Sequence, residues 1–258
     1  MIFCSLQSGS CGNAQFIQYK NTKILIDAGL NGKQTALRLA AIGVNIDDLD
    51  AIILTHEHID HISGAGVISR RHHIPIYANE ATHEASHNII KDIGKENRRF
   101  FDGEFYIKDL FIKPFSIMHD AVDPVGFAIY GNKKISVITD TGIITDTMKE
   151  ESRHSHLYYI EANHDPNMLE YGSYSRALKN RVKGEYGHLS NMDAGEFLIE
   201  ASSNKLSHAV LGHLSYENNN EHLCYETVNE LLNRAGLELD LSISHRDACG
   251  KLIDLDRI

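Results

Sequence analysis

One heptapeptide restricts this chain more than any other feature: Thr55-His-Glu-His-Ile-Asp-His61. It contains four side chains that can ligate a metal ion, His56, His58, Asp60 and His61. The apolar run at residues 50–54 predicts a buried strand just before it, so the ligands lie at a strand end and in the turn that follows. Alternation along a strand directs His56 and His58 to one side. A cluster of this density predicts a site for two metal ions, which many hydrolases of phosphate esters and amides use.

The composition is that of a globular protein, with 42% hydrophobic and 23% charged residues in 258 positions. Sixteen histidines against nine phenylalanines and no tryptophan suit a metalloprotein. The net charge of −10 argues against binding of nucleic acid through the overall field, although local basic patches remain compatible with it. With only four prolines and no low-complexity linker, the chain predicts one domain over residues 1–258.

Cysteine usage and hydropathy indicate a cytoplasmic protein. None of the four cysteines forms a C-x-x-C pair, which is typical of reduced thiols. No apolar stretch approaches the roughly 18 residues of a membrane span. The first ten residues lack the basic region and long apolar core of a signal peptide. The sequence therefore predicts a cytoplasmic location and no membrane partner.

The predicted elements run strands first and helices later in each half. This order favours two sheets packed face to face with helices outside, rather than strict strand–helix alternation. Strands are predicted at 2–6, 14–19, 23–27, 51–55, 75–78, 105–107, 110–117, 124–130, 134–139, 157–161, 207–212 and 238–243. Helices are predicted at 33–41, 64–72, 79–91, 144–152, 174–183, 190–203 and 220–235.

Further ligands are expected at other strand ends, because two ions with about four ligands each need more donors than the heptapeptide supplies. Four residues qualify: Asp27, His119, Asp140 and His213. An aspartate before a glycine or at a strand end can equally be a plain turn former. A lone histidine is more often structural. The heptapeptide, which requires partners, favours the interpretation as ligands.

In this order the motifs resemble the metallo-β-lactamase superfamily. The resemblance implies an α+β fold, a four-layer αββα sandwich with the site at one edge of the two sheets. It also implies a role for each residue. Asp27 would orient the motif by hydrogen bonds. His56, His58 and His119 would hold one metal ion, Asp60, His61 and His213 a second, and Asp140 would bridge both.

Three short blocks indicate the branch of the superfamily. Asp140 stands where β-lactamases generally have cysteine, which argues against antibiotic hydrolysis. The blocks Ser8-Gly-Ser-Cys-Gly-Asn-Ala14, Gly187-His-Leu-Ser-Asn191 and Gly212-His-Leu-Ser-Tyr-Glu-Asn-Asn219 resemble the YycJ/WalJ group of bacterial proteins, which is similar to the ribonuclease Z phosphodiesterase branch. The resemblance implies a metal-dependent hydrolase, a 5′→3′ exonuclease on double-stranded DNA linked to DNA repair. Its cofactors would be two divalent ions, Zn²⁺ or Mn²⁺, with Fe²⁺ also compatible.

The same resemblance implies catalytic roles for Glu161 and His188 beside Asp60. Ribonuclease Z-like enzymes place a glutamate and a histidine near the leaving group, and Glu161 would hold His188 protonated so that it donates a proton. Each also has a structural interpretation, Glu161 as a strand-end carboxylate and His188 as a neighbour of the helix cap Ser190. His164 departs from the ribonuclease pattern, and its role stays open.

Four basic residues precede His188: Arg176, Lys179, Arg181 and Lys183. They predict a helix face that contacts a polynucleotide backbone; a solvated helix face is the alternative. The long tRNA-binding arm of ribonuclease Z has no counterpart here, which argues against tRNA maturation.

Other functions remain open from sequence alone. A hydrolase of small or cyclic phosphodiesters is favoured by the acidic net charge and by the lack of an appended nucleic-acid domain. An RNA-processing nuclease would need the same ligands. A binding module without activity is disfavoured by the complete ligand set and by the Glu161/His188 pair. The sequence does not predict the oligomeric state.

Overall fold

The structure, a computed structural model, describes residues 1–202 and 207–257. In these ranges two seven-stranded sheets form the centre of the molecule. The first contains β1 (Ile2–Gln7), β2 (Ala14–Tyr19), β3 (Thr22–Ile26), β4 (Ala51–Ile53), β5 (Ile76–Ala78), β6 (Arg98–Phe100) and, from the end of the chain, β14 (Ile253–Asp254). The second contains β7 (Phe105–Ile107), β8 (Leu110–Ser116), β9 (Val125–Tyr130), β10 (Lys134–Ile138), β11 (Leu157–Glu161), β12 (His208–Gly212) and β13 (Asp240–Ile243).

Both sheets combine an antiparallel part with a parallel part. The first has the order β14-β1-β2-β3-β4-β5-β6, antiparallel as far as β3 and parallel beyond it. The second has the order β13-β12-β11-β10-β9-β8-β7, parallel from β13 to β10 and antiparallel beyond. In mixed α/β sheets, ligand sites favour the carboxyl ends of parallel strands.

Helices cover the outer face of each sheet. The first half contributes α1 (Gly32–Ala41), α2 (Ile59–Ile62), α3 (Ala65–His72), α4 (Glu80–Ala85) and α5 (His87–Ile90). The second half contributes α6 (Asp146–Ser152), α7 (Pro166–Tyr171), α8 (Arg176–Val182), α9 (Asn191–Ala201) and α10 (Glu221–Arg234). The predicted helix 79–91 is in fact α4 and α5, which meet at Ser86. The last residue of the predicted helix 190–203 lies outside the described residues.

The four-layer order follows from the alternation of strand side chains, which point in turn into the core between the two sheets and into the core between a sheet and its helices. Tyr159 packs between the two sheets together with Phe3, whereas its neighbour Tyr158 packs outward with Phe197 of α9. Likewise Cys4, next to Phe3, belongs to the core beneath α1 and α3. Because strand side chains alternate, each sheet is apolar on both faces. The αββα sandwich of the α+β class is confirmed. None of the described helices has the length and apolar character to cross a bilayer.

Three of the predicted site residues follow strands in a backbone conformation that is unusual for residues with a side chain, which Lys20 after β2 and Lys108 after β7 also adopt. Asp27 follows β3, Asp140 lies two residues after β10, and His213 follows β12, with φ values of 60°, 49° and 54°. Residues other than glycine rarely adopt this left-handed conformation, and those that do are concentrated at functional sites. All three are nearly or fully buried. The turn at each strand end brings these side chains to one edge of the sandwich.

Candidate metal centre

The first group of possible metal ligands contains His56, His58, His119 and Asp140. Their donor atoms all lie within 4.8 Å of one another. The Nε2 atom of His119 is 3.2 Å from Nδ1 of His58 and 3.9 Å from Oδ2 of Asp140. His56 lies three residues after the end of β4, and its Nε2 atom lies 3.5 Å from Oδ2 of Asp140. The structure thus brings together the residues expected at the first metal position.

The second group contains Asp60, His61, Asp140 and His213, again within 4.8 Å of one another. Oδ2 of Asp140 lies 2.9 Å from Nε2 of His61. Oδ2 of Asp60 lies 3.6 Å from Nε2 of His61 and 3.7 Å from Nε2 of His213. Short helix α2 places Asp60 and His61 on the same turn. Asp140 belongs to both groups, as the expected bridging residue should.

The donor set fits divalent cations. Nε2 of His56 and Nε2 of His213 are buried and have no hydrogen-bond partner, although buried polar atoms in proteins almost always have one. Imidazole nitrogens and carboxylate oxygens without a thiolate suit Zn²⁺, Mn²⁺ or Fe²⁺. A cation in each group would provide the missing partner for these nitrogens.

Electrostatics also favours positive charge at this place. Burial lowers the pKa of His61 and His213, but the neighbouring carboxylates together raise both pKa values well above the ordinary value. They are Asp140 and Asp27 for His61, and Asp140, Asp60 and Glu161 for His213. Burial by itself would raise the pKa of Asp140, but the two histidines hold it well below its usual range. We call seven residues the ligand cluster: His56, His58, Asp60, His61, His119, Asp140 and His213. Positive charge is favoured at His61 and His213, whereas burial lowers the pKa of His56 and His119.

Asp27 and Thr55 fix the orientation of two histidines. Thr55 donates its backbone N–H and its hydroxyl to Asp27, at 2.9 and 2.8 Å. Nδ1 of His61 lies 2.7 Å from Oδ2 of Asp27, and Nδ1 of His56 lies 2.9 Å from Oγ1 of Thr55. Both rings therefore present Nε2 to the cluster, the arrangement that orienting partners of ligating histidines provide. Asp27 was expected from sequence, whereas the contact of Thr55 was not.

Asn13 is a second contributor that the sequence motifs did not reveal. Its side-chain amide donates to Oδ2 of Asp60 at 3.2 Å and lies 3.0 Å from Nε2 of His61. Its backbone N–H donates to the carbonyl of Asp60 at 2.8 Å. Gly29 permits this approach, because a Cβ there would lie 1.7 Å from that carbonyl oxygen. The available signal was the block at residues 8–14, which had served only to mark the resemblance.

Glu161 and His188 adjoin the ligand cluster and form a third group with Asp140 and His213. Oε1 of Glu161, which is fully buried, lies 2.7 Å from Nδ1 of His188 and 2.8 Å from Nδ1 of His213. Burial raises the pKa of Glu161, but His188 and the hydrogen bonds lower it to about 2. Burial lowers the pKa of His188, but Glu161 raises it above the ordinary value. The pair therefore favours an ionised carboxylate beside a charged imidazole.

His188 also lines a cavity of about 380 Å³, which we call the His188 cavity. Its walls come from α8 and the loops on either side of it, from three earlier segments and from two later segments of the chain. The lining includes Ser10, Asp120, Asn163, Tyr174, Leu178, Arg181, Tyr186, His188, Tyr216, Glu217 and Arg246. His188 thus contacts both Glu161 and a cavity that a substrate could enter.

The basic residues of α8 are partly neutralised by acidic neighbours. Arg181 forms two contacts with Oδ2 of Asp120, at 2.9 Å from Nε and 2.6 Å from Nη2. The other oxygen of Asp120 lies 3.4 Å from Nε2 of His119, a contact that sequence reasoning missed. Lys183, one residue past the helix, pairs with Glu170, and Lys179 donates to the Glu170 carbonyl at 2.6 Å. Arg176 is exposed.

His164 lies outside the three groups of possible ligands among the described residues. It is buried, and its backbone pairs with Ser190 in an isolated β-bridge. Its carbonyl accepts a hydrogen bond from Asn191 at the start of α9 at 2.9 Å. The structure gives His164 a place in the support of the loop that carries His188.

Comparisons with known proteins were consistent with this geometry. Residues 12–137 match the profile of the metallo-beta-lactamase superfamily. The chain is 34% identical to exodeoxyribonuclease YycJ of Bacillus anthracis over 97% of this chain and 96% of that protein. It is 40% identical to exodeoxyribonuclease WalJ of Streptococcus pneumoniae serotype 2 over 90% and 88%. The crystal structure of YhfI from Bacillus subtilis, a metallo-beta-lactamase fold protein, superposes with a TM-score of 0.72 at 17% identity, covering 96% and 98%.

Proposed function

The chain belongs to the metallo-beta-lactamase superfamily and, within it, to the family of the YycJ and WalJ proteins, and on that premise we propose that this metal-dependent hydrolase is a DNA exonuclease. The relatives that support this are named exodeoxyribonucleases, and this chain covers nearly their full length. The proposed substrate is double-stranded DNA degraded from the 5′ end, an activity suited to DNA repair.

One observation carries the proposal. Glu161 lies against the ligand cluster, 2.8 Å from Nδ1 of His213, and its partner His188 lines an open cavity. A site of this form has what hydrolysis of a phosphodiester requires, which is a place for cations and a proton donor for the departing oxygen.

The ligand cluster is proposed to hold two divalent cations, Zn²⁺ or Mn²⁺. His56, His58 and His119 would ligate one, Asp60, His61 and His213 the other, and Asp140 both. When bound, the ions activate water and neutralise charge on the phosphoryl oxygens.

His188 then acts on the leaving group. With Nδ1 held by Glu161 at 2.7 Å, the proton on Nε2 is available to the oxygen that departs from phosphorus. Glu161 is itself fixed by the backbone N–H groups of Thr141 and Leu189, at 3.1 and 3.2 Å. Because the carboxylate cannot rotate away, it keeps the imidazole in one orientation. Arg181, in the wall of the same cavity, is paired with Asp120 and would contact a backbone phosphate only by leaving that pair.

The proposal is tested with one oligonucleotide sequence prepared as end-labelled double-stranded DNA, single-stranded DNA and RNA. The purified protein is loaded with Mn²⁺ or Zn²⁺, and Asp60→Ala serves as the control that lacks a ligand of the second group. We expect stepwise loss of nucleotides from the 5′ end of DNA, absent in the control. Loss from the 3′ end, or equal cleavage of RNA, would contradict the proposed polarity or substrate.

A small phosphodiester is the second candidate, and one observation favours it. Arg181 is paired with Asp120 and Lys183 with Glu170, so α8 offers less free positive charge than its sequence suggested. If all three polymers remain intact while bis-p-nitrophenyl phosphate is hydrolysed, the small substrate replaces DNA.

A further inference from the structure

Two residues distant in sequence form a flat surface at the His188 cavity. Tyr216 follows β12, and Arg246 follows β13. The guanidinium carbon of Arg246 lies 5.0 Å from the centre of the Tyr216 ring, and its Nη2 donates to the Leu214 carbonyl at 3.2 Å. A guanidinium over an aromatic ring is an attractive arrangement. The contacts hold the pair in place although the tyrosine is 77% exposed.

The pair takes no part in the ligand cluster or in the described apolar cores. Tyr186, which is 55% exposed, and Tyr174 line the same cavity. Tyr216 and Arg246 also line a second cavity of about 350 Å³ and so stand between the two. Aromatic rings beside a cationic groove are what proteins use to stack nucleobases while holding their phosphates.

Two guanidinium groups line the His188 cavity, and that of Arg246 has no ion pair in the described residues, although the carboxylate of Glu217 lines the same cavity. Arg181 is paired with Asp120. The contacts of Arg246 in residues 1–202 and 207–257 are the Leu214 carbonyl and the Tyr216 ring, neither of which neutralises its charge. Arginine binds phosphate through a planar fork of donors and also stacks on rings. A nucleotide with its base against Tyr216 and its phosphate at Arg246 would use both properties.

The position of His188 indicates which nucleotide this is. In the proposed reaction the oxygen of water bonds to phosphorus, the bond from phosphorus to the departing oxygen breaks, and His188 gives its proton to that oxygen. The leaving group therefore lies on the His188 side, in the cavity. If a single nucleotide leaves, the departing oxygen is the O3′ of that nucleotide. The nucleotide in the cavity is therefore the one at the 5′ end of the strand. The remaining strand keeps the phosphate whose bond was broken.

We propose that the His188 cavity is the subsite for the 5′-terminal deoxynucleotide, with Tyr216 stacking its base and Arg246 binding its 5′-phosphate. The inference rests on the proposed function and adds the residues that hold the terminal unit. The cavity volume of about 380 Å³ is within the range of small-ligand sites, roughly 300–1,000 Å³. It suits one nucleotide rather than a length of duplex.

Binding tests the subsite without any catalytic step. The 5′-monophosphate of 2-aminopurine deoxyriboside, whose fluorescence falls when the base stacks, is titrated into wild type, Tyr216→Ala and Tyr216→Phe. Tyr171→Ala is the matched control, because Tyr171 is 86% exposed and does not line the cavity. We expect the Kd to rise about 5- to 100-fold in Tyr216→Ala, as for loss of one base stack, and to be unchanged in Tyr216→Phe and Tyr171→Ala. An unchanged Kd in Tyr216→Ala would overturn the subsite.

A second arm uses DNA in which one base has been removed. An abasic sugar at the 5′ terminus should raise the KM of wild type by the same factor by which Tyr216→Ala raises the KM for intact DNA. The KM of Tyr216→Ala should not rise further when the terminal base is missing. An abasic sugar at the second position should have a much smaller effect. Equal effects at both positions would contradict a subsite for the terminal unit.

The two arms separate this inference from the proposed function. If the protein degrades DNA but both the Kd and the KM are independent of Tyr216, the exonuclease stands and the subsite is wrong. If nucleotide binding depends on Tyr216 and no DNA is degraded, the subsite stands for a small nucleotide ligand and the exonuclease is wrong.

Discussion

The ligand cluster is assembled from residues that follow strand ends and from short helix α2, whereas the His188 cavity beside it is lined mainly by α8 and by loops. In the cluster, side chains such as His56 and His61 are fully buried, and Asp27, Thr55 and Asn13 hold them. In the cavity, Tyr186 and Tyr216 are more than half exposed. The two regions meet at Glu161, which touches His213 of one and His188 of the other.

This difference in burial suggests a division of roles, in which the cluster carries out the reaction and the cavity wall selects the substrate. The cluster is fixed by two sheets, and changing one residue there alters the support of several others. The cavity wall can change residue by residue at little cost to stability, because exposed side chains contribute little to the core. Function on a shared fold resides in the site rather than in the scaffold. We therefore expect variants of the cluster to affect every substrate, and variants of the cavity to discriminate among substrates.

Removal of the shared carboxylate should have the largest effect. Asp140→Asn is expected to abolish hydrolysis of DNA and of bis-p-nitrophenyl phosphate, because Asp140 belongs to both ligand groups. Metal content measured by mass spectrometry should fall for both ions. The matched control is Asp120→Asn, whose carboxylate lies 3.4 Å from His119 but outside the groups. Retention of both ions by Asp140→Asn would show that it does not bridge them.

His188 connects the two regions, so its loss should slow turnover and leave the metal content intact. His188→Ala is expected to lower kcat by about 10²–10⁴-fold, the usual contribution of a general acid. The loss should be smaller for bis-p-nitrophenyl phosphate than for DNA, because nitrophenolate leaves without needing a proton. Wild-type turnover of DNA in this variant, or loss of metal, would contradict the role as proton donor.

The cluster could be predicted from sequence because its residues occur at strand ends in short motifs. The runs before Asp27, Asp140 and His213 are apolar enough to predict strands, and the heptapeptide requires partners. The left-handed backbone at all three could not be predicted, since it depends on the packing of two sheets. Among the helices, the prediction of one continuous helix over residues 79–91 was wrong, because the chain turns at Ser86 and forms α4 and α5.

The cavity could not be predicted from sequence, because no motif joins its residues. Tyr216 and Arg246 lie in different loops, and only the parallel pairing of β12 with β13 brings those loops together. The pairing of Arg181 with Asp120 was likewise invisible, so α8 was expected to be more positive than it is. The family resemblance and the fold are confirmed, and the roles of the individual site residues remain proposals.

Loss of an orienting contact tests how much rigidity the cluster needs. Asp27→Asn keeps the size of the side chain but removes the charge that accepts from His61 and Thr55. We expect metal affinity or activity to fall about 10- to 100-fold, as for other partners of ligating histidines. Competition with a chelator measures the affinity, and thermal unfolding shows whether the fold is intact. An affinity equal to that of wild type would mean that the backbone alone orients His61.

The smallest expected effect concerns α8, where the charges are exposed. Arg176 has no ion pair in the described chain, whereas Lys183 pairs with Glu170. If Arg176 contacts a DNA phosphate, Arg176→Ala should weaken DNA binding and reduce the salt dependence, the slope of log K against log salt concentration, by about 1. Lys183→Ala, the matched control, should change the slope less, because its charge is already compensated. Equal slopes for wild type and both variants would mean that this helix face is only solvated. DNA would then be held by the wall of the His188 cavity.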